Sequence, residues 1–261
     1  MSESLHRYKT EIQQAAQLLM HSQHSVALTG AGISTPSGIP DFRSAASGLW
    51  EKYDPTVVAS ISAFRRKPED FYDWIRPLIK ITQNAQPNPA HMALATLEKL
   101  GSLQAVVTQN IDGLHTAAGS EKVSEVHGHV REVECLTCKY VEGSAPHLDR
   151  LAADATIPTC PKCNHVLKPK VILFGEQLPF DIMHAAQESV RKADLMIVAG
   201  SSLEVAPVSE LPWLAHQNQA RLIIINYQAT PVDHLADIII RDDVARVLPA
   251  IVADFAQTSI L

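Results

Sequence analysis

The sequence predicts an α/β protein: a Rossmann-like parallel sheet interrupted by a helical module and a zinc-binding module. Three observations point there. Short apolar runs recur along the chain, and each ends in a loop of small or polar residues, at 25–34, 104–112, 193–202, 221–228 and 237–244. Segments of helical periodicity lie between most of them, the alternation expected of a sheet covered by helices on its faces. Four cysteines, arranged as two Cys-x-x-Cys pairs, fall in a polar stretch that interrupts this alternation. A chain of 261 residues, 46% hydrophobic, can bury one large core and carry a smaller module.

Leu5, Tyr8, Ile12, Ala15, Ala16 and Leu19 recur at spacings of three and four and predict an amphipathic helix packed on the sheet. Residues 25–29 form the first strand, which runs into the tight turn Gly30-Ala31-Gly32-Ile33-Ser34. A strand entering such a turn presents backbone N–H groups to a phosphate, and glycine lets the backbone come close to the anion. The continuation departs from the G-x-G-x-x-G fingerprint, because Ser34 and Thr35 stand where its third glycine belongs. Residues 35–43 (T-P-S-G-I-P-D-F-R) then keep a loop where a plain βα unit would enter its helix. Taken alone, Gly-Ala-Gly is a weak signal and reads more readily as a tight turn without a ligand.

Residues 51–86 are helical but irregular, with Phe64, Phe71, Tyr72, Trp74 and Ile75 as apolar markers. They interrupt a simple crossover, so 36–86 is expected to be an inserted helical module. Asn88-Pro89 and Gly101 suit the start and end of a helix over 89–100. The strand at 104–108 ends in Gln109-Asn110-Ile111-Asp112, where a parallel sheet faces its ligand crevice; a capped turn is the other reading. Histidine suits general-base work near neutral pH, yet with 12 histidines in the chain His127 is not singled out by its type alone.

The zinc module is expected over 128–170, with a loop-like middle at 142–158, and residues 169–176 leave it extended. A helix at 181–192 leads to a buried strand at 193–199 and a second small-residue turn, Gly200-Ser201-Ser202. A helix at 207–216, strands at 221–225 and 237–240, and a helix at 244–256 complete the chain. Residues 1–35, 87–127 and 171–261 therefore make the Rossmann-like domain. If its strands are parallel, five loops open on one edge and a dinucleotide fits them, with Asn226 and Ser202 suited to ribose diols. The ribose carboxylate expected about 20 residues beyond the glycine turn in hydride-transfer dehydrogenases has no clear candidate, since Glu51 and Asp54 fall in the helical module. The nucleotide is held in another way.

A net charge of −6 and a pI of about 6.0 argue against a nucleic-acid binder driven by bulk charge. Short termini with no coiled coil lean toward a monomer; no apolar run reaches the roughly 18 residues that cross a membrane, and the N-terminus lacks a signal peptide's apolar segment, so a cytoplasmic protein is expected. In such a setting Cys135, Cys138, Cys160 and Cys163 read as a tetrahedral zinc site rather than disulfides. Four thiolates leave no open coordination position, so the zinc is structural. A redox reading would need one pair at a helix start and would leave the other unexplained.

Assembled in order, Gly30-Ala31-Gly32-Ile33-Ser34, Gly38-Ile39-Pro40-Asp41-Phe42-Arg43, Gly48-Leu49-Trp50, Thr108-Gln109-Asn110-Ile111-Asp112, His127-Gly128, the four cysteines, Phe174-Gly175-Glu176, Gly200-Ser201-Ser202-Leu203 and Asn226 closely resemble the motifs of the sirtuins, the NAD-dependent protein deacylases. The likeness covers about residues 25–250. It implies that the zinc-binding module and the helical module form one small domain on the Rossmann-like domain, and that NAD and an acetylated-lysine protein or peptide meet in the cleft between the two. The acyl oxygen attacks the ribose carbon bearing nicotinamide, nicotinamide leaves, and a ribose hydroxyl then takes the acyl group, giving O-acetyl-ADP-ribose. By the same resemblance His127 is the general base, Asn110 orients the ribose and a water, and Asp112 and Ile111 receive the nicotinamide amide. Phe42 shields the reactive face, while Arg43 and the loop of Gly30, Ala31, Gly32 and Thr35 meet phosphate. Ser201, Ser202, Asn226 and Val244 meet the adenosine half; Trp50, Gln109, Gly200 and Tyr227 complete the cofactor-binding set. The segment 171–175, with Ile172, Phe174 and Gly175, is the implied edge on which the peptide adds as a strand.

Acyl choice is also implied. Sirtuins that prefer succinyl or malonyl groups carry Tyr-x-x-Arg in the helical module; here Tyr72 is followed at that spacing by Ile75, with Arg76 one residue further round the helix. Neutral acyl groups, acetyl first, are expected. Two departures stand out: Ser201 replaces a common threonine, and Asp242 stands where some members have glycine. Protein mono-ADP-ribosyl transfer and an NAD-binding module without turnover are the competing readings. A hydride-transfer oxidoreductase is disfavoured by the broken fingerprint and the missing ribose carboxylate.

Overall fold

The structure, a computed structural model, describes residues 3–41, 48–49 and 53–258. The N-terminal helical pattern is divided at Tyr8 into α1 (Glu3–Arg7) and α2 (Lys9–His21), and β1 (Ser25–Thr29) follows. The helical insertion comprises α3 (Pro55–Val58), α4 (Ile61–Arg66) and α5 (Pro68–Asn84). Asp54 and Ser60 cap the first two through Thr56 N–H and Ala63 N–H. Next come α6 (Pro89–Lys99), β2 (Ala105–Thr108), α7 (Leu114–Ala117), β3 (Val123–Glu125), β4 (Gly128–Cys135), β5 (Val141–Gly143), α8 (Ala145–Asp154) and β6 (Leu167–Val171). The last part holds α9 (Phe180–Lys192), β7 (Leu195–Ala199), α10 (Leu211–Gln217), β8 (Arg221–Ile225), β9 (Ile238–Ile240) and α11 (Val244–Thr258).

Six strands form one sheet in the order β3-β2-β1-β7-β8-β9, and every neighbouring pair is parallel. Strand order runs one way from β1 to β3 and the other way from β7 to β9, so the β1/β7 junction is the switch point where a doubly wound sheet leaves a crevice. The continuous apolar runs are explained by burial on both faces. Val26, Leu28, Val107, Met196, Val198, Leu222 and Ile224 pack with α9 and α10. Ala27, Val106, Ile197, Ala199, Ile223 and Ile225 pack with α2, α6 and α11. Strand β3 was not anticipated, since Val-Ser-Glu is too short to show a period.

A second sheet, β5-β4-β6, is antiparallel. The middle of the zinc module corrects the expectation of a loop over 142–158. It contains β5 and α8, because His147, Leu148 and Leu151 recur at helical spacing and are buried, although Asp149, Arg150 and the alanines dilute that signal. Leu148 and Leu151 share one core with Phe64, Phe71, Tyr72, Trp74, Ile75 and Ile79 of the helical insertion and with Val171 and Leu173. The extended segment after β6 is therefore sewn to the insertion: Phe174 N–H donates to Ala59 O at 2.9 Å and Ile61 N–H to Phe174 O at 3.0 Å. Among the described residues, no helix is long and apolar enough to cross a membrane.

Candidate active site

The site is built from strand ends. The turns after β1 and β7 touch, with Gly32 N–H donating to Gly200 O at 2.9 Å. A Cβ on Gly32 would lie 2.9 Å from Gly200 Cα, and Gly200 itself has φ +62°, so both turns need glycine. Side chains then stitch the neighbouring loops together. Asn110 Nδ2 donates to Gly30 O at 3.1 Å and to Ser34 Oγ at 3.0 Å, Ser34 Oγ donates to Asp112 Oδ2 at 2.7 Å, and Gln109 Nε2 donates to Ser201 Oγ at 2.8 Å. Burial pushes the Asp112 carboxyl above the usual carboxylate range, opposed by its bonds from Leu114 N–H and Ser34.

Beneath this layer Asn110 N–H donates to Thr108 Oγ1, which also accepts from Thr29 Oγ1, and Thr29 Oγ1 in turn meets His115 Nε2 at 2.9 Å. His115 packs edge-on against His91, with ring centroids 4.8 Å apart. His91 Nδ1 accepts Asn88 N–H at 3.3 Å, closing the capping box of α6, while Asn88 Nδ2 holds Ile33 O at 2.7 Å and Ser37 Oγ at 2.9 Å. Burial lowers His91 to about 4; burial and then the neighbouring His91 lower His115 to about 3. Both rings are therefore neutral supports of the glycine turn.

His127 follows β3. Its Nδ1 lies 3.1 Å from Gln109 O, an acceptor, which puts the neutral ring's proton on Nδ1 and the lone pair on Nε2. His127 borders a cavity of about 740 Å³. Gly30, Ala31, Gly32, Thr35, Gln109, Asn110, Ile111, Asp112, Ile172, Phe174, Gly175, Gly200, Ser201, Ser202, Asn226, Tyr227 and Val244 line the same cavity. Phe42, Arg43 and Trp50 lie outside the described residues. Asp242, the departure at the adenosine end, folds its carboxylate back onto Asp243 N–H and leaves Val244 on the cavity wall.

Two features of the cavity were not foreseen. Its inner wall is apolar and runs along α5 through Phe71, Trp74, Ile75, Leu78 and Ile79, with Leu148 of α8 beside them. The open main-chain edge is displaced from 171–175. Ile172 N–H is already given to His127 O and Phe174 N–H to Ala59 O, whereas Gly175 and Gln177 N–H groups have no partner among the described residues. The apolar spacing of α5 was visible in the sequence, but the same spacing describes a helix packed on a core.

The four cysteines are free thiols whose Sγ atoms all lie within 4.8 Å of one another, with pairs at 3.4 Å and 3.5 Å. Zn–S bonds of about 2.3 Å in a tetrahedron put sulfurs about 3.8 Å apart, so the set fits one zinc ion with no open position. Cys135 ends β4 and Cys160 is buried, and both pack with Val133 and Leu167.

The model of the Sir2 family matches residues 30–207. An NAD-dependent protein deacetylase of Sulfurisphaera tokodaii is 42% identical over 251 residues, 96% of this chain and 98% of the relative. A solved structure described as a structural basis for the mechanism and regulation of Sir2 enzymes superposes with a TM-score of 0.91 at 43% identity, covering 96% of this chain and 99% of the other. A Sir2 protein bound to a myristoylated histone peptide superposes with a TM-score of 0.84 at 36% identity, covering 97% and 99%. With the motifs, the fold and the strand-end cavity in agreement, this chain belongs to the Sir2 family.

Proposed function

We propose that the protein is an NAD-dependent protein-lysine deacetylase that yields nicotinamide, O-acetyl-ADP-ribose and deacetylated protein. The observation that carries this reading is one cavity joining the paired glycine turns to His127, whose Nδ1 is held by a carbonyl. NAD, when bound, supplies a ribose carbon with a good leaving group. The glycine turns at 30–32 and 200 leave room for close approach of the phosphates, the N–H groups of Gly30, Gly32 and Gly200 being held by Ala199 O, Gly200 O and Ile225 O. Asn110, fixed from below by Thr108 and from the side by Ser34, orients the ribose. His127 Nε2 accepts the proton of the ribose hydroxyl. The cysteines hold a structural zinc. The division into a Rossmann-like domain (1–35, 87–127, 171–261), a helical module (36–86) and a zinc module (128–170), and a cytoplasmic monomer, complete the proposal. The peptide's main chain pairs at Gly175 and Gln177, beside the side chains of Ile172 and Phe174.

The preferred acyl groups are neutral. Tyr72 is buried and its hydroxyl donates to Leu167 O, Arg76 reaches toward Ala152 O at 3.5 Å, and Ile75 faces the cavity, which no lysine or arginine lines among the described residues. The eight helical rises from Phe71 to Ile79 give an apolar wall about 12 Å long, which supports removal of long straight acyl chains as well as acetyl. Turnover of acetyl, succinyl and myristoyl versions of one peptide tests this: acetyl and myristoyl are removed and succinyl is not. Ile75→Arg should raise the succinyl-to-acetyl ratio and abolish myristoyl removal. An unchanged ratio would mean that position 75 does not face the acyl group.

A further inference from the structure

Lys168 is 1% exposed and lines no part of the active-site cavity. Its Nζ donates to Val171 O at 2.8 Å and to Glu176 Oε2 at 2.9 Å, and lies 3.6 Å from Glu134 Oε1. Glu176 Oε2 also accepts Leu173 N–H at 2.8 Å, and Glu176 N–H returns to Leu173 O at 3.0 Å. The chain from 168 to 176 is thus closed round one amine. Strand β6 ends at Val171, and the segment beyond it is held by single main-chain bonds to His127, Ala59 and Ile61; the Lys168–Glu176 pair adds a hold just where, among the described residues, Gly175 and Gln177 leave N–H groups for a partner.

A buried ion pair is poor value as a source of stability, since apolar residues of similar volume often serve as well. Two hydrogen bonds from one amine to one short segment, with Glu134 of the neighbouring strand as a further counter-charge, argue for placement instead. We propose that Lys168 is a positioning residue for the peptide substrate: through Val171 O and Glu176 it holds 172–177 in the extended form that receives the peptide main chain. The inference rests on the peptide edge proposed above.

The test is steady-state kinetics with acetyl-lysine peptide and NAD varied separately, alongside direct ADP-ribose binding, for Lys168→Met, Lys168→Arg, Glu176→Gln and Gln177→Pro. Lys168→Met removes the clamp's hydrogen bonds and Glu176→Gln removes its negative charge; each is expected to raise the peptide KM roughly tenfold, the order of one good hydrogen bond in an association. NAD KM and ADP-ribose affinity stay unchanged, Lys168→Arg restores most of the peptide KM, and the Met/Gln double variant is no worse than either single one. An unchanged peptide KM in folded Lys168→Met, or an equal loss of ADP-ribose affinity, overturns the proposal. If Lys168→Met does not fold, Glu176→Gln decides, because its amide oxygen still accepts Leu173 N–H. Gln177→Pro deletes one of the open N–H groups. If it leaves the peptide KM unmoved, the edge itself is misassigned; if it raises KM while the Lys168 and Glu176 variants do not, the clamp alone fails.

Discussion

Acidification should destabilise this protein through His91, well before its carboxylates are protonated. His91 is fully buried on α6, its Nδ1 holds Asn88 N–H, and Asn88 in turn holds the glycine turn at Ile33 O. Its folded-state value is lowered by burial from 6.5 to about 4. The unfolded chain therefore binds a proton that the folded chain refuses between these values, so stability rises with pH across that window. The contribution is complete above 6.5 and is lost as pH falls toward 4. A gap of about 2.5 pH units corresponds to about 3 kcal/mol, a large share of a typical domain's stability. His115 adds to the same trend, but its depression is partly due to His91, so only the first ring is counted. Urea denaturation at pH 7 and pH 4 measures the effect. Wild type should lose about 3 kcal/mol more than His91→Asn, whose amide oxygen can still take Asn88 N–H. Equal losses in the two proteins would refute a neutral, buried His91 as the cause.

Gly32→Ala places a Cβ 2.9 Å from Gly200 Cα; the clash should cost about 1–3 kcal/mol and raise NAD KM, measured by urea titration and kinetics, with far less effect on zinc content. Chelation of the metal, or Cys160→Ser, should unfold the small antiparallel sheet first, because Cys135 and Cys160 are half of its core with Val133 and Leu167. Peptide turnover should then disappear while ADP-ribose still binds, a difference that calorimetry with ADP-ribose can read.

Strands β1, β2, β7, β8 and β9 were legible because burial on both faces writes an uninterrupted apolar run. Their loops were legible because small and polar residues follow each run. The cysteine spacing stated the metal module outright. What escaped depends on contacts distant in sequence. Strand β3 exists only as a partner of β2, and α8 only because Leu148 and Leu151 find α5. Lys168, within Leu-Lys-Pro-Lys, reads as a surface residue; Glu134, Glu176 and Val171 O together make its burial tolerable. The open edge shifted from 171–175 to 175–177 because His127 O and Ala59 O claim the earlier N–H groups, which no local pattern reveals. The wall of α5 is a core stripe by sequence and a cavity lining by tertiary placement.

Mass spectrometry of an acetyl-lysine peptide, incubated with the protein with and without NAD beside His127→Ala, is the most direct measurement. NAD-dependent loss of the acetyl mass, with O-acetyl-ADP-ribose appearing and both lost in the variant, is the predicted result. An unchanged peptide with NAD still consumed, or full acetyl removal by His127→Ala, would contradict deacetylation with His127 as its base.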